Sequence, residues 1–140
     1  MTSVTRIWER IYLGSLKDAE LLARSNPEHI ATVISLCQEL IVHRATKITY
    51  IRIPIWDTRP ISGQKFEDIM YAVGLGVRRG NVLVHCLAGK SRSPIVVAAW
   101  LDRCGYAGIE NALSQIAELR DLAPSETLLA SVKEAMAREP

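Results

Sequence analysis

Four short apolar segments, rich in isoleucine, valine and tyrosine, have the length and composition of β-strands. They span residues 10–13, 31–36, 49–53 and 82–85. The second and fourth segments are almost continuously apolar, which is typical of strands that are covered on both faces of a sheet. The pattern therefore predicts a sheet whose inner strands are fully buried.

Segments with helical periodicity lie between the predicted strands. A first helix is predicted to begin after Ser15, a good capping residue, and to end before Asn26 and the proline that follows it. A second helix is predicted over residues 66–79, with two arginines in its last turn and Gly80 directly after it.

Three more helices are predicted in the second half of the chain. The first begins at Ser93-Pro94 and ends at Gly105, and because it is apolar on every side it is predicted to be the buried helix. Apolar stripes over residues 109–117 and 128–136 predict two half-buried helices. Strands that alternate with helices indicate an α/β fold with a central, mostly parallel sheet of four or five strands and helices on both faces.

Composition places the chain among ordinary globular domains. It has 140 residues, of which 49% are hydrophobic and 23% charged, and a net charge of +2. This length predicts one domain over residues 1–140, and so mild a charge gives no indication of nucleic acid binding. The longest apolar run is far shorter than the roughly 20 residues that span a bilayer, and no secretory signal is visible at the amino terminus. We expect a monomeric, cytoplasmic protein without a membrane segment.

The three cysteines, Cys37, Cys86 and Cys104, include no Cys-x-x-Cys pair. An odd number of cysteines with this spacing argues against a disulfide framework and against a structural zinc site, and it favours a reducing compartment. A lone cysteine is most often a small buried hydrophobe, and that is the role predicted for Cys104.

The most informative segment joins the strand that ends at His85 to the helix that begins at Ser93. A loop that leads into a helix N-terminus is suited to binding an anion, because the first N–H groups of the helix lack internal partners. Cys86 opens this loop, so the same N–H groups would stabilise its thiolate. Gly89 permits a backbone conformation closed to other residues, and the planar guanidinium of Arg92 can bind two oxygens of a tetrahedral anion.

This segment resembles the signature of the cysteine-dependent protein tyrosine phosphatase superfamily, which is His-Cys, five residues, and then Arg-Ser or Arg-Thr. His85-Cys86 and Arg92-Ser93 match the signature fully. Five further segments resemble landmarks of the small, atypical dual-specificity phosphatases, including the general-acid loop at residues 50–57. The others are residues 11–15, 33–36, 98–101 and 124–125, with Ser125 where asparagine is common. The resemblance covers most of the chain.

The resemblance implies a mechanism. The Cys86 thiolate would attack phosphorus and form a phosphocysteine, while Arg92 and the loop amides hold the other phosphate oxygens. Asp57 would protonate the departing oxygen and later activate water. Ser93 would hydrogen-bond the sulfur, and His85 would organise the loop. The remaining residues assigned to phosphate binding are Leu87, Ala88, Gly89, Lys90 and Ser91. No metal or organic cofactor is implied.

The residues leave the substrate open. A phosphorylated protein is favoured, as for a tyrosine or dual-specificity phosphatase, and the alternatives are a phosphoinositide, a nucleotide or a glucan. A non-catalytic module that only binds phosphate is a further alternative, but pure binding requires neither the thiol of Cys86 nor the acid of Asp57. Residues 89–91 also imitate the end of a nucleotide-binding loop, but that motif requires a glycine where this chain has Val84.

Simpler roles remain open for three of these side chains. Ser93 could serve only as the N-cap of the helix, and Asp57 could be only a turn residue. Lys90 is either a solvated lysine or a substrate contact.

Cys37 is a candidate redox partner of Cys86. Each cysteine directly follows a predicted inner strand, and in the family these two strands are parallel neighbours. Neighbouring strands lie about 4.8 Å apart, which is within the range that a disulfide can bridge after modest adjustment. The alternative is that Cys37 is simply a small buried residue at the end of a strand.

Overall fold

The computed structural model describes residues 4–138, which form five strands and five helices. The strands are β1 (Thr5–Trp8), β2 (Ile11–Gly14), β3 (Ile30–Ser35), β4 (Thr49–Arg52) and β5 (Asn81–His85). The helices are α1 (Leu16–Leu21), α2 (Gly63–Arg79), α3 (Arg92–Arg103), α4 (Ile109–Leu119) and α5 (Glu126–Ala137).

The strands form one sheet in the order β1-β2-β5-β3-β4. The β1–β2 pair is antiparallel, and the other three pairs are parallel. The prediction of a mostly parallel α/β sheet is therefore confirmed. Strand β5 lies in the middle, between β2 and β3, and Val82 through His85 are all buried. The carboxyl end of β5 thus opens at the centre of the sheet edge, where ligands bind in open α/β sheets.

Helices cover the two faces of the sheet unequally. Val82 and Val84 of β5 point into a large core shared with α2, α3, α4 and α5. Leu83 points to the opposite face, into a smaller core formed with α1 and the segment between β3 and β4. This alternation follows from the two-residue period of a strand, and both faces are apolar because both are covered.

Strand β1 is the element that the apolar pattern does not predict. It is an edge strand whose residues are only half-buried or exposed, and its pairing with β2 is irregular between Arg6 and Trp8. The turn into β2 uses Glu9 with a φ of 50° instead of a glycine or asparagine. The usual sequence indication of a tight hairpin is therefore absent.

Several helix boundaries differ from those predicted. Helix α1 ends at Leu21, well before Asn26, whose side-chain amide instead hydrogen-bonds both the N–H and the carbonyl of Ile30 at the start of β3. Helix α2 begins three residues early because Ser62 caps it by accepting from the N–H of Lys65. In both places a polar side chain makes the hydrogen bond that these backbone groups do not make with other backbone groups.

Helix α3 is the buried helix, as predicted, with almost every residue from Ser93 to Leu101 inaccessible to solvent. The prediction that Cys104 belongs to the core is wrong. Cys104 lies directly after α3 and is exposed, because the helix leaves the core in its last turn and Gly105, with a φ of 77°, reverses the chain. None of the helices within residues 4–138 combines the length and the apolar character that crossing a bilayer requires.

Candidate active site

The Cys86 loop, residues 86–92, connects the central strand β5 to the buried helix α3. Its carbonyls are held by neighbouring segments: the N–H of Leu16 donates to Leu87 at 3.1 Å, and the N–H of Ala123 donates to Lys90 at 2.9 Å. The N–H groups of residues 87–91 have no hydrogen-bond partner within residues 4–138. Because consecutive unpaired N–H groups beside a helix N-terminus form an anion-binding concavity, this loop is built to receive a phosphate-like group.

Gly89 gives the loop its curvature. Its φ is 72°, and a Cβ at this position would lie 2.8 Å from the carbonyl oxygen of Gly14. The backbone angle favours glycine, and the close approach leaves no room for a side chain. The expectation that Gly89 adopts a conformation closed to other residues is confirmed.

Arg120, at the end of α4, supports the loop from behind. Its guanidinium donates to the carbonyl of Gly89, to Oδ2 of Asp18 and to Oγ1 of Thr5, each at 3.2 Å. The Asp18 side chain is fully buried, and its Oδ2 also accepts from the N–H of Ser15 in a capping box. The Ser15/Asp18 spacing is visible in the sequence, but a partner 102 residues away is not.

Ser93 lies against the sulfur of Cys86. Its Oγ is 3.2 Å from Sγ, both residues are buried, and Ser93 lies in the first turn of α3. The alternative that Ser93 is the N-cap is wrong, because the N-cap is Ser91. The hydroxyl of Ser91 caps nothing in α3 and instead accepts from the N–H of Ser125 at 2.8 Å. The Ser93 hydroxyl is therefore available to donate to a thiolate at Cys86.

His85 organises the base of the loop and does not bond to the sulfur of Cys86. Burial lowers the pKa of His85, so the imidazole is neutral at pH 7. Nδ1 lies 3.1 Å from the carbonyl of Cys86, and Nε2 lies 2.6 Å from Oγ of Ser35. Since a carbonyl only accepts, Nδ1 carries the proton, and the Ser35 hydroxyl donates to Nε2. His85 thereby ties the loop to β3.

Arg92 presents one edge of its guanidinium to protein and leaves the other edge available. Nη1 donates to Oε1 of Gln38 and to the carbonyl of Ile55, each at 3.2 Å. Nε is buried and has no partner among the described residues. An unpartnered buried donor in a native structure indicates a missing acceptor, and an oxyanion in the Cys86 loop would supply one.

The Asp57 loop, residues 53–62, extends from β4 along the same sheet edge. The N–H groups of Ile53 and Ile55 donate at 2.9 Å to the carbonyls of Ser35 and Leu36, so the strand pairing continues past the end of β4. Asp57 follows two residues later, half-buried, with Oδ1 buried and unpartnered among the described residues. The Ile55 carbonyl joins this loop to Arg92.

The side chains of Lys90 and Cys37 take no part in the hydrogen bonds described above. Nζ of Lys90 lies 3.4 Å from Oδ2 of Asp121, but both side chains are at least half exposed, so the ion pair contributes little. Cys37 is fully buried, but it does not directly follow the strand as predicted, because β3 ends at Ser35, which pairs with His85, and Leu36 lies in between. The N–H of Leu36 donates to the carbonyl of His85. Burial raises the pKa of the Cys37 thiol. The described residues hold no group of three or more potential metal ligands.

Comparison with known proteins agrees with this geometry. The family model of the dual specificity phosphatase catalytic domain matches residues 11–137. The chain belongs to the dual-specificity phosphatase family. It is 33% identical over 125 residues to dual specificity protein phosphatase 15 of Rattus norvegicus, covering 86% of this chain and 51% of that protein. The human protein of the same name is 35% identical over 118 residues, covering 81% of this chain and 39% of that protein. The chain thus spans about half or less of the length of these relatives.

Solved structures share the fold. A crystal structure of human DUSP28 superposes with a TM-score of 0.81 at 22% identity, covering 95% of this chain and 95% of that chain. A crystal structure of DUSP15 gives a TM-score of 0.82 at 24% identity, covering 100% of this chain and 99% of that chain. Agreement along almost the whole of each chain supports the description of the sheet and its helices.

Proposed function

We propose that residues 1–140 act as a single dual-specificity protein phosphatase domain, which hydrolyses phosphomonoesters through a cysteinyl-phosphate intermediate. The observation that carries the proposal is the Cys86 loop. A buried cysteine lies at its start, unpaired N–H groups line it, and the buried Nε of Arg92 has no partner within the described residues. Simple phosphate binding would explain the N–H groups and the arginine, but it would explain neither the thiol nor the adjacent acid loop.

The first chemical step forms the phosphocysteine. The Cys86 thiolate attacks phosphorus, a P–S bond forms and the P–O bond to the leaving group breaks. The loop N–H groups and Arg92 hold the other three oxygens, whose charge is spread in the transition state. Asp57 gives its proton to the departing oxygen, because an alkoxide or phenolate leaves poorly at neutral pH.

The second step releases phosphate. Asp57, now a carboxylate, takes a proton from water while the water oxygen attacks phosphorus and the P–S bond breaks. The thiolate leaves more easily because the Ser93 hydroxyl, 3.2 Å away, donates a hydrogen bond to the developing charge. The Asp57 carboxyl and the Cys86 thiolate are both restored, and no metal or organic cofactor is consumed.

The proposal is tested by turnover of p-nitrophenyl phosphate in the presence of EDTA. Phosphotyrosine and phosphoserine/threonine peptides, phosphoinositides, nucleotides and a phosphorylated glucan are then assayed side by side. The names of the matched relatives favour a protein substrate, so phosphopeptides are expected to give the highest kcat/KM. Oxyanion binding without turnover of any of these compounds would identify a binding module instead.

The general-acid role of Asp57 predicts a change in the pH profile. For the wild type, kcat/KM is expected to be bell-shaped, because the thiol must be deprotonated and the carboxyl protonated. Asp57→Asn should remove the fall on the alkaline side and slow alkyl phosphates about 100-fold. Nitrophenyl phosphate should be slowed less, because its leaving group needs the proton less.

Asp68→Asn, on the exposed side of α2, is the matched control. An unaltered profile in Asp57→Asn would point to another acid.

We also propose that Cys37 is the redox partner of Cys86. Peroxide would oxidise the Cys86 thiolate to a sulfenic acid, and the Cys37 thiol would then condense with it, forming the disulfide and releasing water. Mild peroxide is expected to inactivate the enzyme reversibly, and dithiothreitol should restore it. Peptide mapping without reduction should find the Cys37–Cys86 pair. Cys37→Ser should lose the reversibility, whereas Cys104→Ser, which removes an exposed cysteine, should keep it. Sulfinic acid at Cys86 beside a free Cys37 would refute the pairing.

The three cysteines are unpaired in the described part of the chain, and unpaired thiols favour a reducing compartment. We propose a cytoplasmic, monomeric enzyme whose partner is a phosphorylated protein, and the net charge of only +2 supports no role in nucleic acid binding.

A further inference from the structure

Gln38 uses both ends of its side-chain amide to join the two parts of the site. Its Oε1 accepts from Nη1 of Arg92 at 3.2 Å, and its Nε2 donates to the carbonyl of Ile55 at 3.1 Å. The Ile55 carbonyl also accepts from Nη1 of Arg92 at 3.2 Å. Three hydrogen bonds thus form a closed triangle between the Cys86 loop, the segment after β3 and the Asp57 loop.

The triangle is attached to the edge of the sheet where β3 and β4 end. The backbone carbonyl of Gln38 accepts from Nη2 of Arg52, the last residue of β4, at 2.7 Å. The N–H of Ile55 donates to the carbonyl of Leu36 at 2.9 Å. Because both partners of Arg92 are held by neighbouring strands, they determine where its guanidinium lies.

The acceptors in this triangle are neutral. Nη1 donates to an amide oxygen and to a backbone carbonyl, and Arg92 forms no ion pair within residues 4–138. The positive charge is therefore not compensated by a carboxylate, and it remains available to an anion. The opposite edge of the fork includes the buried Nε, which has no partner in the part of the chain that the structure describes. A guanidinium held on one edge by neutral groups is preorganised for bidentate binding on the other.

We propose that Gln38 is a positioning residue for phosphoryl transfer, which holds the guanidinium of Arg92 in its anion-binding orientation and couples it to the Asp57 loop. This role rests on the proposed function for its catalytic consequence, but its effect on oxyanion binding is independent of turnover. Sequence reasoning from the Cys86 segment does not find Gln38, because the two residues of the hydrogen bond are 54 positions apart.

The test compares Gln38→Met and Gln38→Glu with the wild type. Methionine keeps the length of the side chain and removes both hydrogen bonds, and glutamate keeps an acceptor but adds a charge. The matched control is Gln64→Met, because Gln64 is exposed on α2 and its amide hydrogen-bonds Asp68. Tungstate affinity is measured by titration calorimetry, kcat and KM with p-nitrophenyl phosphate, and folding by thermal melting.

Gln38→Met is expected to weaken tungstate binding and to lower kcat, each about tenfold, because a hydrogen bond to a charged group is lost. Gln38→Glu should raise KM and weaken tungstate binding at least as much, since a carboxylate would compete with the anion for Arg92. Gln64→Met should match the wild type. In an Arg92→Ala background, Gln38→Met should add almost nothing, because the two residues act through one contact.

Two results would overturn this role for Gln38. One is a Gln38→Met variant whose tungstate affinity and kcat both stay within about twofold of the wild type. The other is an equally large effect of Gln38→Met when Arg92 is absent, which would mean that Gln38 acts on general stability. Failure of the wild type to hydrolyse any phosphomonoester would refute the proposed function instead, and the tungstate affinities would still decide the role of Gln38.

Discussion

Replacement of Cys86 by serine is expected to abolish turnover and to leave oxyanion binding in place. A serine hydroxyl is a far weaker nucleophile than a thiolate, so kcat should fall by about 10³-fold or more. Binding of phosphate, vanadate or tungstate should persist, because the unpaired N–H groups of residues 87–91 and the guanidinium of Arg92 are unchanged. The measurements are p-nitrophenyl phosphate hydrolysis and tungstate titration on the same preparation.

The control for Cys86→Ser is Cys104→Ser, which removes an exposed thiol just beyond α3. That variant should keep full activity and full tungstate affinity. More than a few per cent of wild-type turnover in Cys86→Ser would show that Cys86 is not the nucleophile. Loss of both turnover and tungstate binding, with an unchanged melting temperature, would mean that the sulfur itself is part of the anion site.

Arg92→Lys is expected to impair both binding and catalysis, in contrast to Cys86→Ser. The guanidinium satisfies Gln38 and Ile55 with Nη1 while leaving Nε available, and an ammonium cannot occupy both positions. A point charge also cannot match two oxygens of the transferring phosphoryl group, so kcat/KM should fall about 10³-fold. Tungstate affinity should fall in parallel.

The matched control for the arginine is Arg78→Lys, an exposed position in the last turn of α2. It should leave kcat, KM and tungstate affinity unchanged. If Arg92→Lys retained wild-type tungstate affinity, the positive charge alone would be sufficient, and the bidentate geometry would have no functional role.

Local features of the chain predict the inner sheet and the centre of the site well. Residues 82–85 form a buried strand, as expected for a short, almost continuous apolar run in a sheet that is covered on both faces. The longer apolar segment after Ser93 forms the buried helix, because a helix that is apolar on every side must be covered on every side. Between them, the spacing of Cys86 and Arg92 is short enough that both residues belong to one loop, so their proximity follows from the sequence.

The edge strand of the sheet, the ends of helices and distant hydrogen-bond partners are harder to predict from the sequence. Strand β1 exists because it pairs with β2, and its half-buried, irregular pattern carries little information of its own. Cys104 is exposed because α3 leaves the core one turn before it, which depends on how the helix packs. The hydroxyl of Ser91 accepts from the N–H of Ser125 and does not cap α3.

The fold class and the loop that contains Cys86 can be read from the order of residues alone, because apolar periodicity and short-range spacing depend on residues that are close along the chain. The distant side chains that support that loop are defined by the packing of the folded chain. Arg120, which is paired with Asp18, donates to a carbonyl of the Cys86 loop, Ser35 orients His85, and Gln38 holds Arg92. These contacts join residues 50 to 102 positions apart. The contacts of Ser35 and Gln38 form because the neighbouring parallel strands β3 and β5 end at the same edge of the sheet, and the Arg120–Asp18 contact forms because α4 and α1 end and begin beside that edge.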